Sequence, residues 1–299
     1  MKNKNYIFFI APGFVLYSIF VTVPVIYVLY LSLFEWSGIG LKTFVGMENF
    51  IQIFTNDRFA PMFFNALKNN LKYLLCVWFI ITPFQYFIAY VLYLKIPAFK
   101  YIKFMIFMPY VISSTIVSFF AVVVFDPNIG ILNQILDSLS LLELQSAWFG
   151  NPDIAFKLMI MLIMWQGAGV GVMIFYSNFI GISSDILEAA KIDGCSELQR
   201  FSYILFPLSL PSCASIITMS TIWALAIFDM PFILGGATGG VSNSLDFVNL
   251  VFYRTTFGSV LDGKSNLGFG SAISTVMFII IFTVSFLQNK VLSKFEYDT

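Results

Sequence analysis

The sequence predicts an all-α, polytopic membrane protein with six transmembrane helices, on three observations. Of 299 residues, 59% are hydrophobic and only 11% are charged, whereas a soluble domain carries about 25%. Mean hydropathy is +0.87. The charges are also spaced so as to leave long uncharged runs. So few charges cannot coat a water-facing surface of this size, which argues against a soluble globular enzyme. The same apolar excess excludes disorder.

The uncharged runs are 5–34, 73–94, 104–125, 158–184, 201–228 and 265–289. A bilayer core needs about 20 apolar residues in a helix, and each run reaches that length. In lipid the backbone must satisfy its own hydrogen bonds, so each run is a helix; barrel strands would be shorter and would alternate. The expected organisation is one transmembrane domain, 1–299, with spans at about 7–34, 71–94, 102–125, 155–182, 205–234 and 265–289. The first run follows Lys2 and Lys4 as a secretory signal would. It continues through Pro24 to Phe34 without a clear cleavage site, so it reads as a retained span.

Charge balance sets the orientation. With the N-terminus inside, the inner segments hold nine basic residues against six acidic, and the outer segments seven against nine. The short 95–103 loop, with Lys95, Lys100 and Lys103, carries this bias without an acidic residue. Both termini are therefore expected in the cytoplasm of a multi-pass cell-membrane protein. A formal net charge of zero argues against a nucleic-acid partner. The absence of histidine removes Ser-His and Cys-His nucleophiles and His-based metal sites. Cys76, Cys195 and Cys213 are scattered without CxxC spacing and read as reduced or buried.

The one sizeable polar stretch expected inside is 183–207, SSDILEAAKIDGCSELQRFSYILFP. Ser184 is placed to cap a short helix, Asp185 lies in its first turn, and Gly194 can end it. Ser196 and Gln199 form an S-x-x-Q capping box that starts a second helix. A helix, a glycine turn and a helix along the inner face result. Ala189 and Ala190 are small enough for another surface to approach, and Glu188 and Asp193 supply charge.

Glu188-Ala189-Ala190, Gly194, Ile204, Phe206 and Pro207 resemble the EAA loop, EAA-x3-G-x9-I-x-L-P, of ABC importer permeases. Phe206 stands where that family usually has leucine, one apolar group for another. Phe44-Val45-Gly46-Met47-Glu48-Asn49-Phe50, Gly130-Ile131-Leu132-Asn133 and Gly235-Gly236 resemble segments of the maltose and glycerol-phosphate type permeases, the first of the paired sugar permeases. The resemblance implies the type I permease fold. It also implies four kinds of partner: a second homologous permease, two cytoplasmic ATPases, an extracytoplasmic substrate-binding protein, and a sugar, oligosaccharide or polyol ligand. It makes Glu188, Ala189, Ala190, Asp193, Gly194, Ile204 and Pro207 the ATPase-coupling residues. No cofactor is then expected on this chain, ATP and Mg²⁺ residing on the ATPases.

Gly258 to Ser265 satisfies G-x-x-x-x-G-K-[ST]. A phosphate loop needs a buried strand before it and a soluble helix after it. Here a membrane span follows and the segment is expected outside, so it reads as a turn.

A path for the ligand is marked only weakly. Asp229 is the one acidic residue within a predicted helical unit, and ionisable groups at membrane depth face a cavity or a partner. Trp223 lies about two turns away, and Trp165 and Gln166 lie in the fourth span. Aromatic plates beside amide or carboxylate acceptors suit a sugar. Ser118 in the third span is a further candidate. The same residues could be interface anchors or helix contacts, and Gly167-x-x-x-Gly171 reads as a close-packing face. Two other readings stand beside the importer subunit: a self-sufficient secondary transporter, which would want more ionisable groups in the membrane, and a non-catalytic scaffold subunit.

Overall fold

The computed structural model describes residues 5–258 and 265–293. Among the described residues, five helices are long and apolar enough to cross a bilayer: Phe9–Leu31, Phe59–Tyr93, Pro152–Gly181, Glu197–Gly235 and Leu267–Leu292. A sixth crossing exists if the bent pair Phe99–Val111 and Ser114–Val124 is one span. These are called the first to sixth spans in chain order. Lys2, Lys4, Lys294, Glu296 and Asp298, and 259–264 of the glycine-rich segment, lie outside the described residues.

The chain folds as two compact units, Met1–Phe64 with Val248–Ile279, and Asn65–Phe247 with Ile280–Thr299. In the first unit the first span leads into an antiparallel strand pair, Phe34–Glu35 and Thr43–Phe44, with Phe34 opposite Phe44. The FVGMENF segment closes this turn. Gly46 donates its N–H to the Leu33 carbonyl at 3.1 Å. Asn49, buried at the start of the Glu48–Thr55 helix, donates its side-chain amide to the carbonyls of Ser32 and Phe34, each at 2.9 Å. These acceptors lie just beyond the helical ladder of the first span, where carbonyls lose their partners.

The second unit is built on second, fourth and fifth spans. Tyr86, Ala89 and Leu92 pack against Val172, Phe175, Phe179, Leu205 and Ile216 in one buried cluster. The Tyr86 ring stands edge-on to Phe175 and Phe179, at 5.0 and 5.2 Å, and its hydroxyl lies 2.8 Å from Ser209 Oγ. Such aromatic pairs contribute about 0.5–1.5 kcal/mol each beyond their buried area. The Gly130–Asn133 segment begins the Ile131–Ser138 helix. A Cβ on Gly130 would stand 2.3 Å from the Asp126 carbonyl, so only glycine fits. Asn133 ties the loop by donating to the Pro127 and Ser146 carbonyls and accepting from the Trp148 indole. The Ile129 and Asn128 N–H groups donate to Asp126 and hold its carboxyl below the usual range.

The second span begins at Phe59, well before the uncharged run starting at Tyr73. Asn69 and Asn70 sit buried within it, and Lys72 lies with its Nζ 5.8 Å from the Phe156 ring. Polar side chains with partners do not end a helix, and the absence of charge marks only its lipid-bound part.

Three turns in these helices are π-turns: Ser18–Thr22, Val77–Ile81 and Phe201–Leu205. Each ends two residues before a proline, Pro24, Pro83 or Pro207. Proline has no N–H and its ring collides with the carbonyl four residues back. Widening the turn by one residue relieves that collision without breaking the helix.

Two spans break outright, the third just after Pro109 and the fifth just before Pro231. The third span bends by 94° at Ile112–Ser113. The fifth loses its helical geometry between Leu225 and Asp229, with Phe228 at φ −143°, ψ −54°.

Candidate functional site

The 183–207 segment forms two helical arms. Ser183, rather than Ser184, caps the Ser184–Ile192 helix, its hydroxyl accepting from Asp185 N–H. The chain at Ser183 is extended (φ −55°, ψ 131°), as a cap requires. At the other end the Cys195 N–H donates to the Ala190 carbonyl at 3.0 Å and the Gly194 N–H to Lys191 at 3.1 Å. This is a Schellman closure, and it requires the left-handed conformation that Gly194 adopts at φ +82°. Ser196 and Gln199 make the full reciprocal capping box, and Glu197 pairs with Arg200 within that turn. The second arm does not stop. Its π-turn runs into Phe206–Leu225, so it is the beginning of the fifth span.

The hairpin divides its residues between two sides. Leu187 and Phe201 pack on the buried aromatic cluster, the Phe201 ring lying 4.4 Å from Tyr90 and 5.9 Å from Tyr86. Ala190 is buried. Glu188, Ala189, Asp193 and Gly194 are exposed, and Ile192 is 85% exposed beside them. Ile204 and Pro207 are half-buried in the second arm. An arm of small, acidic and apolar groups is thus presented outward from a backbone closed at both ends and anchored on rigid rings.

The ligand-path candidates do not form one constellation. Trp223 is 53% exposed and lines a small cleft of about 100 Å³ with Tyr73, Gln85, Tyr110, Gly167 and Ser220. Asp229 is outside this lining. The break separates it from Trp223, and it sits exposed in the first turn of Asp229–Gly235, accepting from Ser114 Oγ at 3.3 Å. Trp165 is half-exposed and also outside the cleft. Gln166 donates to the Ile112 carbonyl at 2.8 Å. Ser118 is fully buried and donates to the Ser114 carbonyl within its own helix. In the glycine pair, Gly171 receives the Gln85 side chain where a Cβ would stand 2.2 Å from Oε1, while Gly167 borders open space.

Sequence reasoning missed Gln85, which spans from the second span to the Gly167 carbonyl at 3.1 Å. It also missed Asn70, whose amide reaches the Ala224 and Leu225 carbonyls at 3.3 and 3.1 Å. A buried amide in an apolar helix was the available signal for both.

A family model described as "Binding-protein-dependent transport system inner membrane component" matches residues 81–295. The chain is 30% identical to the probable ABC transporter permease protein YurN of Bacillus subtilis, over 97% of each chain. It is 32% identical to the multiple sugar-binding transport system permease protein MsmF of Streptococcus mutans, over 99% of this chain and 97% of the relative. The fold is similar to that of a chain in a bacterial alginate ABC transporter, crystallised in complex with an alginate pentasaccharide-bound periplasmic protein. The TM-score there is 0.79 at 18% identity, covering 94% of this chain and 91% of that one. With its capped hairpin and bilayer-length helices, this multi-pass membrane protein belongs to the family of inner membrane components of binding-protein-dependent transport systems, and it is a transport permease.

Proposed function

We propose that this chain is a permease subunit of an ATP-driven importer for a sugar, oligosaccharide or related polyol. It works with a second homologous permease, two ATPases that hold ATP and Mg²⁺, and an extracytoplasmic binding protein. The hairpin faces the cytoplasm, as do both termini. Glu188, Ala189, Asp193 and Gly194 meet an ATPase; Ala190, expected among them, is instead buried behind that surface, and Ile204 and Pro207 join the contact to the fifth span. The observation that carries this reading is the division of the hairpin: an exposed acidic and small-residue surface on one side, and Leu187 and Phe201 set into the aromatic cluster of the second and fourth spans on the other. A push on the exposed side therefore reaches the spans through packed rings. The ATPase and the binding protein must each bind one arrangement of the spans better than another, since a ligand shifts an equilibrium only by its differential affinity.

Support for the sugar class comes from MsmF, named for multiple sugars, and from the alginate-bound neighbour. The Trp223 cleft, with two tyrosines, an amide and a hydroxyl, suits a ligand of apolar faces and hydroxyl rims. We read the path through this cleft, with Asp229 as a hydroxyl acceptor beyond the break.

Co-purification through a tag on this chain tests the assembly. An ATPase, a second permease and a binding protein are expected together, and the recovered binding protein is expected to bind a sugar or polyol from a ligand panel. Recovery without an ATPase, under conditions that retain the second permease, overturns the coupling assignment.

A further inference from the structure

The two breaks in the spans leave backbone carbonyls without their helical donors, and in each case a side-chain amide from a neighbouring unbroken helix takes the donor's place. In the third span the freed carbonyl is that of Ile112, and the donor is Gln166 of the fourth span at 2.8 Å. In the fifth span the freed carbonyls are those of Ala224 and Leu225, both fully buried residues, and the donor is Asn70 of the second span. Asn70 is itself fully buried. In a continuous helix these carbonyls would accept from N–H groups four residues on. An unpaired carbonyl in a membrane interior is costly, so without the amides the stable alternative is to wind the helix through the break, in the fifth span with a widened turn before Pro231 like those before Pro24, Pro83 and Pro207. The two segments beyond the breaks begin at Ser114 and Asp229, and these two side chains meet at 3.3 Å.

We propose that Asn70 and Gln166 are positioning residues that hold the two breaks open, and thereby bring Ser114 and Asp229 together as one joint. For Gln166 this replaces contact with the ligand as its role. For Asp229 it rests on the path proposed above, but only in what the joint is used for. The contact itself is independent of whether a sugar meets Asp229.

The backbone supplies a test that separates positioning from general stability. Ser113 stands at φ −57°, ψ 139°, after Ile112 at φ −79°, ψ 132°. These are the conformations of proline and of the residue preceding it. Ser113→Pro therefore fits the open break and disfavours a regular α-helix through it, independently of Gln166.

Cysteines are placed at Ser114 and Asp229, with Cys76, Cys195 and Cys213 replaced by serine, in the full importer in native membranes. Oxidation is expected to cross-link the pair efficiently. Gln166→Met and Asn70→Leu, which keep size and remove the donor, are each expected to lower the yield at least fivefold. Adding Ser113→Pro to Gln166→Met is expected to restore it, and to leave the Asn70→Leu defect in place. Unchanged yield in both single variants overturns the proposal, as does failure of Ser113→Pro to rescue. If Gln166→Met does not accumulate, the rescue is read as recovery of membrane level by Ser113→Pro, and no recovery overturns it equally. Unchanged uptake in the Asp229→Cys importer, with the cross-link still forming, counts against the ligand path instead, so the two readings fail separately.

Discussion

Gly194 and Gly130 are both required to be glycine, for different physical reasons that predict different substitution series. A Cβ on Gly130 meets three backbone atoms within 2.7 Å, so any side chain displaces the loop. A Cβ on Gly194 meets nothing within 4 Å, but φ is +82°. Its constraint is conformational, and the left-handed region costs an ordinary residue about 1–2 kcal/mol. Asparagine visits that region most readily and β-branched residues least. On the coupling role proposed above, Gly194→Asn is expected to keep most uptake per ATP hydrolysed, Gly194→Ala to lose several-fold, and Gly194→Val to lose more. All three should assemble, because the space is open. Uptake and ATPase rates of the reconstituted importer check this. An order that follows side-chain volume rather than left-handed tolerance, with alanine above asparagine, would mean that a partner surface sets the constraint.

Among the elements, the hairpin was legible because its signals are local: a serine cap, a glycine closure and a serine–glutamine box each act within a few residues. The cap lies one residue from its expected place, since Ser183 and Ser184 both satisfy the pattern and only backbone geometry separates them. What sequence did not carry was the continuity of the second arm with the fifth span. Pro207 looks like a boundary, yet the helix absorbs it through the π-turn at Phe201–Leu205. That turn sets the rotational register between hairpin and span. Pro207→Ala removes the cause of the wide turn. Rewinding it as α-helix turns the arm by about 100° and shifts it by about 1.5 Å relative to the span. Phe201 then leaves the rings of Tyr90 and Tyr86. Uptake per ATP is expected to fall several-fold with assembly retained. Pro24→Ala is the control, because the π-turn before Pro24 contains no buried residue. Its expected effect is less than twofold. Equal effects from the two prolines would detach the turn from coupling.

At the scale of the whole molecule, composition and charge spacing expose five bilayer-length helices, and the number of crossings depends on the remaining pair. Its uncharged run, 104–125, looks like any other span, but the chain bends there by 94°. The Ile112–Ser113 break was illegible because its stabilising partner, Gln166, lies 54 residues away. The break in the fifth span likewise depends on Asn70, 154 residues before its acceptor Ala224. Length decides what the bent pair can do. Its halves have 13 and 11 residues, or about 20 and 16 Å of helix, and neither alone crosses an apolar core of about 30 Å. If the pair crosses once, the total is even and both termini lie on the same face. If it dips in and returns, the total is odd and the termini lie on opposite faces. The basic residues of the 95–103 loop and of the chain ends favour the same face, the cytoplasmic one. A reporter that fluoresces only in the cytoplasm, fused to either end in separate importers that still transport, is therefore expected to light from both. Fluorescence from the N-terminal fusion alone would make the bent pair a re-entrant loop, and it would place the sixth span opposite to the direction proposed here.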